Sequence, residues 1–118
     1  MMNQVLIVED DDDIRETLTE VCRSEGYTVI GARHGREALE LLKGEVQGRC
    51  MVLLDLMMPV LDGKGFLEAV AVEIPQRLPQ LFIVVFSAGA SVSHPLVRGF
   101  LKKPVDLEEV LAMLKANS

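Results

Sequence analysis

Leu81-Phe82-Ile83-Val84-Val85-Phe86 spans six residues without one polar side chain. A strand with one wet face alternates apolar and polar residues, whereas an unbroken run fits a strand covered on both faces. Such strands are usually interior members of a parallel sheet. Val5-Leu6-Ile7-Val8 and Val52-Leu53-Leu54 have the same character. A sheet of this kind needs covering helices, and the intervening segments carry the pattern for them.

Ile14, Leu18, Val21 and Cys22 fall at i, i+4, i+7 and i+8, the apolar stripe of an amphipathic helix. Asp11 or Asp12 can cap it, Asp13 complements its dipole, and Gly26 stops it. Tyr27-Thr28-Val29-Ile30 reads as a second strand. Gly35 precedes a helix with Ala38, Leu39 and Leu42 inward and Gly44 as its C-cap. The third strand, about Met51 to Leu54, is followed by a helix with Phe66, Leu67, Val70 and Ile74 inward, ending before Pro75. The fourth strand, Leu81 to Phe86, leads through an irregular segment to a short fifth, Gly99 to Lys102. Asp106-Leu107-Glu108-Glu109 has capping-box spacing and opens a last helix with Leu107, Val110, Leu111 and Leu114 inward. The expected fold is α/β: a doubly wound, five-stranded parallel sheet in one domain, residues 1–118, with right-handed crossovers and helices on both faces.

A net charge of −6 argues against a direct nucleic-acid binder, which needs clustered Lys and Arg. Cys22 and Cys50 match no metal-ligand spacing and read as reduced core thiols of a cytoplasmic protein. The apolar run before Glu9 is only four residues long, Val5 to Val8, too short for a signal peptide or a membrane span. His34 and His94 lie near no second ligand motif and read as surface loop residues.

Ligands of such sheets bind at the carboxyl ends of the strands. Those ends carry Glu9 and Asp10, then Asp55, then Ser87, then Lys103. Singly, each has a plain explanation: carboxylates cap turns, a serine bonds its own loop, a lysine sits in solvent. Together on one edge they are harder to dismiss. Two carboxylates about 4 Å apart repel by roughly 4 kcal/mol at an effective dielectric of 20. A cluster of three needs a cation or a raised pKa, and an all-oxygen site completed by water suits Mg²⁺.

The set resembles the receiver domain of two-component response regulators, a flavodoxin-like topology. The residues carrying the likeness are Glu9-Asp10, Asp55 in Asp-Leu-Met-Met-Pro-Val-Leu-Asp-Gly, Ser87-Ala88 and Lys103-Pro104. The resemblance implies that Asp55 accepts a phosphoryl group from a partner histidine kinase or phosphotransfer protein. It implies Mg²⁺ held by Glu9, Asp10, Asp55 and the backbone carbonyl of Met57. Lys103 and the Ser87 hydroxyl would contact the phosphoryl oxygens. Ser87 and Phe100 would form the switch that reports modification, although Phe100 also reads as an ordinary core residue. The Lys103–Pro104 bond is expected to be cis. Pro59 and Gly63 match the family's loop beyond the acceptor, and Asp62 reads as a turn residue rather than a ligand. Met57 and Gly89 stand where the family tunes phosphoryl lifetime, and neither has a side chain that orients water. Such a domain is a signalling acceptor rather than an enzyme, assisting its own phosphotransfer and dephosphorylation. Its downstream partner is a protein target or a fused output domain.

One segment departs from the family. Ser87 and Lys103 lie 16 positions apart, several fewer than receivers use, and Pro95 breaks any helix through it. The fourth helix is therefore expected to shrink to about a turn or to a loop, with residues 88–97 the least ordered part of the fold. That puts the output surface in question. Three rivals remain. A flavodoxin-like electron carrier needs a phosphate-cradling loop where Glu9 to Asp13 stand. An aspartate-nucleophile phosphohydrolase usually has a second Asp where Met57 stands. A phosphorylation-independent interaction module on the same fold has no need of the intact site.

Overall fold

The structure, a computed structural model, describes residues 3–57, 62–89 and 94–117. Five strands make one parallel sheet: β1 (Gln4–Val8), β2 (Thr28–Ala32), β3 (Cys50–Asp55), β4 (Leu81–Ser87) and β5 (Val97–Lys102). Their spatial order is β2-β1-β3-β4-β5, so β3 lies at the centre. All six residues of β3 are buried, and so are six of the seven in β4, as their unbroken apolar runs predict.

The helices are α1 (Asp12–Ser24), α2 (Gly35–Lys43), α3 (Gly63–Glu73) and α4 (Leu107–Ala116). Each begins where a side chain satisfies the first free N–H groups. Asp11 accepts from Asp13 and Ile14, Asp62 from Gly65, and Asp106 from Glu108. α2 is capped by His34, whose Nδ1 accepts from the Glu37 N–H at 3.2 Å. His94 acts similarly, accepting from the Leu96 N–H at 3.1 Å. Both histidines are loop residues, but half-buried ones that bond the backbone rather than bare surface groups. Gly26, just beyond α1, has φ +93°, a conformation that side chains rarely adopt.

The core has two halves, one on each sheet face. On one, Leu18 and Cys22 of α1 and Val110 and Leu114 of α4 meet Ile7, Leu53 and Phe86. On the other, Leu39 and Leu42 of α2 and Phe66 and Val70 of α3 meet Leu6, Val52 and Val85. Each fully buried aliphatic or aromatic side chain contributes about 1.5–3 kcal/mol.

A 3₁₀ helix, Pro75–Gln80, follows α3, where the sequence reading has only a helix stop. It carries Arg77, 9% exposed, whose guanidinium donates to the carbonyls of Leu42, Val46 and Gly48. One side chain thus ties off the end of α2 and the loop beyond it.

Only residues 88–96 connect β4 to β5. Among the described ones there is no α-helix: Pro95 and Leu96 form a turn closed by the Val97 N–H on the His94 carbonyl at 3.0 Å. Residues 90–93, four of the ten expected to be the least ordered, lie outside the described residues. Val97 corrects that expectation. It is the first residue of β5, paired with Ile83, and a register irregularity between Ile83 and Val84 separates it from the Gly99 to Lys102 run. Among the described residues, no helix is long and apolar enough to cross a membrane.

Candidate functional site

Parallel register brings the strand ends level. Val8 pairs with Leu54, Asp55 with Phe86, and Ser87 with Lys102. Glu9, Asp55, Ser87 and Lys103 therefore share one edge of the sheet. Glu9, Asp55 and Ser87 are 0%, 2% and 4% exposed, while Asp10 is open to solvent.

Lys103 joins them. Its Nζ donates to Glu9 Oε1 at 3.1 Å and to Asp55 Oδ2 at 3.3 Å, and lies 5.3 Å from the centroid of the Phe86 ring. Its backbone N–H bonds the Ser87 carbonyl at 2.9 Å, which locks the end of β5 to the end of β4. The Lys103–Pro104 bond is cis. The other acceptor oxygen, Asp55 Oδ1, takes the Met57 N–H at 3.0 Å. The Ser87 hydroxyl accepts from the Gly89 N–H at 3.1 Å, and among the described residues its own O–H has no acceptor.

Glu9, Asp10 and Asp55 each offer a carboxylate oxygen, and these atoms lie within 4.8 Å of one another. One lysine does not balance them. Glu9 Oε2 is buried and has no hydrogen-bond partner among the described residues. Burial first, and then the Asp55 carboxylate, push the Glu9 pKa to about 8 against the pull of Lys103. Burial alone would lower the Lys103 pKa, but its hydrogen bond to Glu9 and the charge of Asp55 outweigh that and raise it. A hard divalent cation taking oxygen ligands suits both the orphaned oxygen and the excess negative charge.

Two neighbouring features hold the site in shape. Gly63, at the start of α3, sits so close to β3's exit that a Cβ there would stand 2.8 Å from Leu56 Cα. Only glycine fits that approach. Arg15 of α1 donates from Nη1 to the Glu9 carbonyl at 2.8 Å and pairs through Nη2 with Asp12. The sequence reading singles out neither Arg15 nor Arg77. The usable signal for Arg15 is a cation one turn into a helix that starts with three acids.

Other expected residues sit apart. Asp62 caps α3, as a turn residue does, and is exposed. Phe100 is half-buried against the α2–α3 side of the core. Met57 is 75% exposed. Pro59 lies outside the described residues.

A response regulator receiver domain model matches residues 5–115. Response regulator MprA of Mycolicibacterium vanbaalenii is 38% identical over 119 residues, covering 96% of this chain and 49% of that protein. Transcriptional regulatory protein CpxR of Escherichia coli K12 is 31% identical over 120 residues, covering 98% and 49%. The chain thus spans about half the length of these curated relatives. Among solved structures, chemotaxis protein CheY4 of Vibrio cholerae superposes with a TM-score of 0.80 at 28% identity, covering 98% of each chain. A CheY-like receiver domain protein from Methanospirillum hungatei gives 0.79 at 28%, covering 93% of this chain and 89% of that one.

Proposed function

The chain belongs to the response regulator receiver domain family, and we propose that it signals by accepting a phosphoryl group on Asp55 from a partner histidine kinase or phosphotransfer protein. The observation that carries this reading is Lys103, whose ammonium bridges Glu9 and Asp55 at the edge of a three-carboxylate cluster. Phosphoryl transfer asks a protein mostly to position groups and neutralise charge. An Asp55 oxygen attacks the phosphorus, forming a P–O bond as the P–N bond of the donor histidine breaks and its imidazole departs. Lys103 then shifts its bonding from the free carboxylate to a phosphoryl oxygen, where developing charge is greatest. Ser87 donates its O–H to another. Glu9, Asp10, Asp55 and the Met57 carbonyl would hold Mg²⁺. When bound there, the ion supplies charge neutralisation for the carboxylates and the phosphoryl oxygens.

Movement of the Ser87 hydroxyl towards the phosphoryl group is the switch, with Phe100 following on β5. In this reading residues 1–118 form one cytoplasmic receiver domain that transfers no group to a substrate of its own. Its output is a downstream protein or a fused domain, without direct contact to nucleic acid.

Incubation with a small phosphodonor and Mg²⁺, followed by intact-mass measurement, tests the reading. The parent should gain one phosphoryl group only when Mg²⁺ is present, and Asp55→Asn should gain none. Equal modification of Asp55→Asn would move the acceptor elsewhere. No modification of the parent under any condition would favour an interaction module.

A further inference from the structure

We propose that Arg15 is a positioning residue for the acidic cluster: it fixes the turn between β1 and α1 that aims Glu9 and Asp10, and thereby sets the affinity for the divalent cation. This rests on the reading of Glu9, Asp10 and Asp55 as the metal site. Arg15 belongs to α1, yet its side chain is only 17% exposed. Nη1 donates to the Glu9 carbonyl at 2.8 Å, and Nη2 holds the Asp12 carboxylate. The stem lies along β2 at Gly31, where a Cβ would stand 3.1 Å from Arg15 Cδ and 3.4 Å from Cγ. The slot is open because residue 31 has no side chain.

Glu9 donates its own N–H to the Ala32 carbonyl at 3.0 Å. Both of its backbone polar groups are therefore committed, one to β2 directly and one to α1 through Arg15. This matters because a cation takes Glu9 and Asp10 as deprotonated carboxylates, which repel one another, and the turn carrying them would otherwise splay to separate them. A group that orients a metal ligand without touching the metal typically changes affinity by about 10–100-fold when removed. Arg15 acts on the ligand's backbone rather than its carboxylate, which places the effect at about tenfold.

A guanidinium near a cation site could instead act as a repelling charge. Asp12 already pairs with it, so its net field at the cluster is small and the anchoring role dominates. The two roles predict opposite signs.

Calorimetric titration with Mg²⁺ on the parent, Asp10→Asn, Arg15→Met and Gly31→Ala proteins separates them, with metal-free melting temperatures measured alongside. Arg15→Met keeps the stem and deletes the guanidinium. We expect the parent to bind Mg²⁺, Asp10→Asn to lose most of that binding, and Arg15→Met to stay folded but bind about tenfold more weakly. The metal-free melting temperature of Arg15→Met should lie below the parent's, because the Glu9 carbonyl loses its donor. Gly31→Ala crowds the slot without removing a charge and should weaken binding by a smaller factor. Equal affinity in the parent and Arg15→Met overturns the proposal and leaves the metal site standing. Tighter binding in Arg15→Met also overturns it, showing the guanidinium as a repelling charge. If Arg15→Met does not fold, Gly31→Ala decides, and unchanged affinity there refutes the proposal. Absence of Mg²⁺ binding by the parent removes the metal site and this proposal together.

Discussion

Glu9 shows how a single side chain can make a fold depend on what it binds. Its carboxyl has an ordinary pKa of 4.5 and is pushed to about 8, by burial first and by Asp55 second. Between those values the folded chain holds a proton that the unfolded chain has released. The contribution of Glu9 to stability is therefore complete below the unfolded pKa and is lost as pH rises towards the folded one. Metal-free protein should melt at progressively lower temperature between pH 4.5 and about 8, and Glu9→Gln should flatten that decline. Mg²⁺ should stabilise most at the upper end of the range, because it binds the deprotonated carboxylates. Identical pH profiles for the parent and Glu9→Gln would mean that Glu9 keeps its ordinary pKa. The sequence shows that Glu9, Asp10 and Asp55 converge, since residues at the carboxyl ends of parallel strands must. It does not show that Glu9 is wholly buried while its neighbour Asp10 is exposed; that follows from how the turn after β1 is held.

At the scale of elements, helices are the most legible parts because each carries two signals, an apolar stripe and a cap. Leu18 with Cys22, Leu39 with Leu42, Phe66 with Val70 and Val110 with Leu114 face the sheet as their spacing predicts. Signals fail where a single long-range contact decides the structure. Pro75 reads as a helix stop, yet the segment it opens is a 3₁₀ helix that carries Arg77. Nothing local to Arg77 indicates that its guanidinium will reach carbonyls 29 to 35 residues away. Arg77→Met keeps much of the stem but leaves three carbonyls without their donor. A buried polar group left unsatisfied costs about 1–3 kcal/mol, so urea denaturation should show a loss of at least that size. A midpoint equal to the parent's would mean that water replaces the guanidinium without penalty. The start of β5 is a similar case: the irregularity after Val97 hides two residues of strand from any period-two reading.

Across the whole molecule, the unbroken apolar runs imply the parallel sheet, and the sheet implies the edge where the site assembles. The site's side chains sit at strand ends rather than in the β4–β5 crossover, so the short connection there leaves their geometry in place. Lys103 still reaches Glu9 and Asp55, because its backbone is tied to Ser87 at the end of β4 rather than to anything in the crossover. Signalling through that side of the fold is a separate matter, since only residues 88–96 connect the two strands. The central claim is that Asp55 carries the phosphoryl group. An acyl phosphate, unlike a free carboxylate, is reduced by borohydride to the alcohol, which converts the modified aspartate to homoserine. After treatment with phosphodonor and Mg²⁺, reduction and peptide mapping by mass spectrometry, homoserine should appear at position 55 and disappear when Mg²⁺ is omitted. Homoserine at Asp10 or Asp62 instead, or at none of the aspartates, would contradict the account.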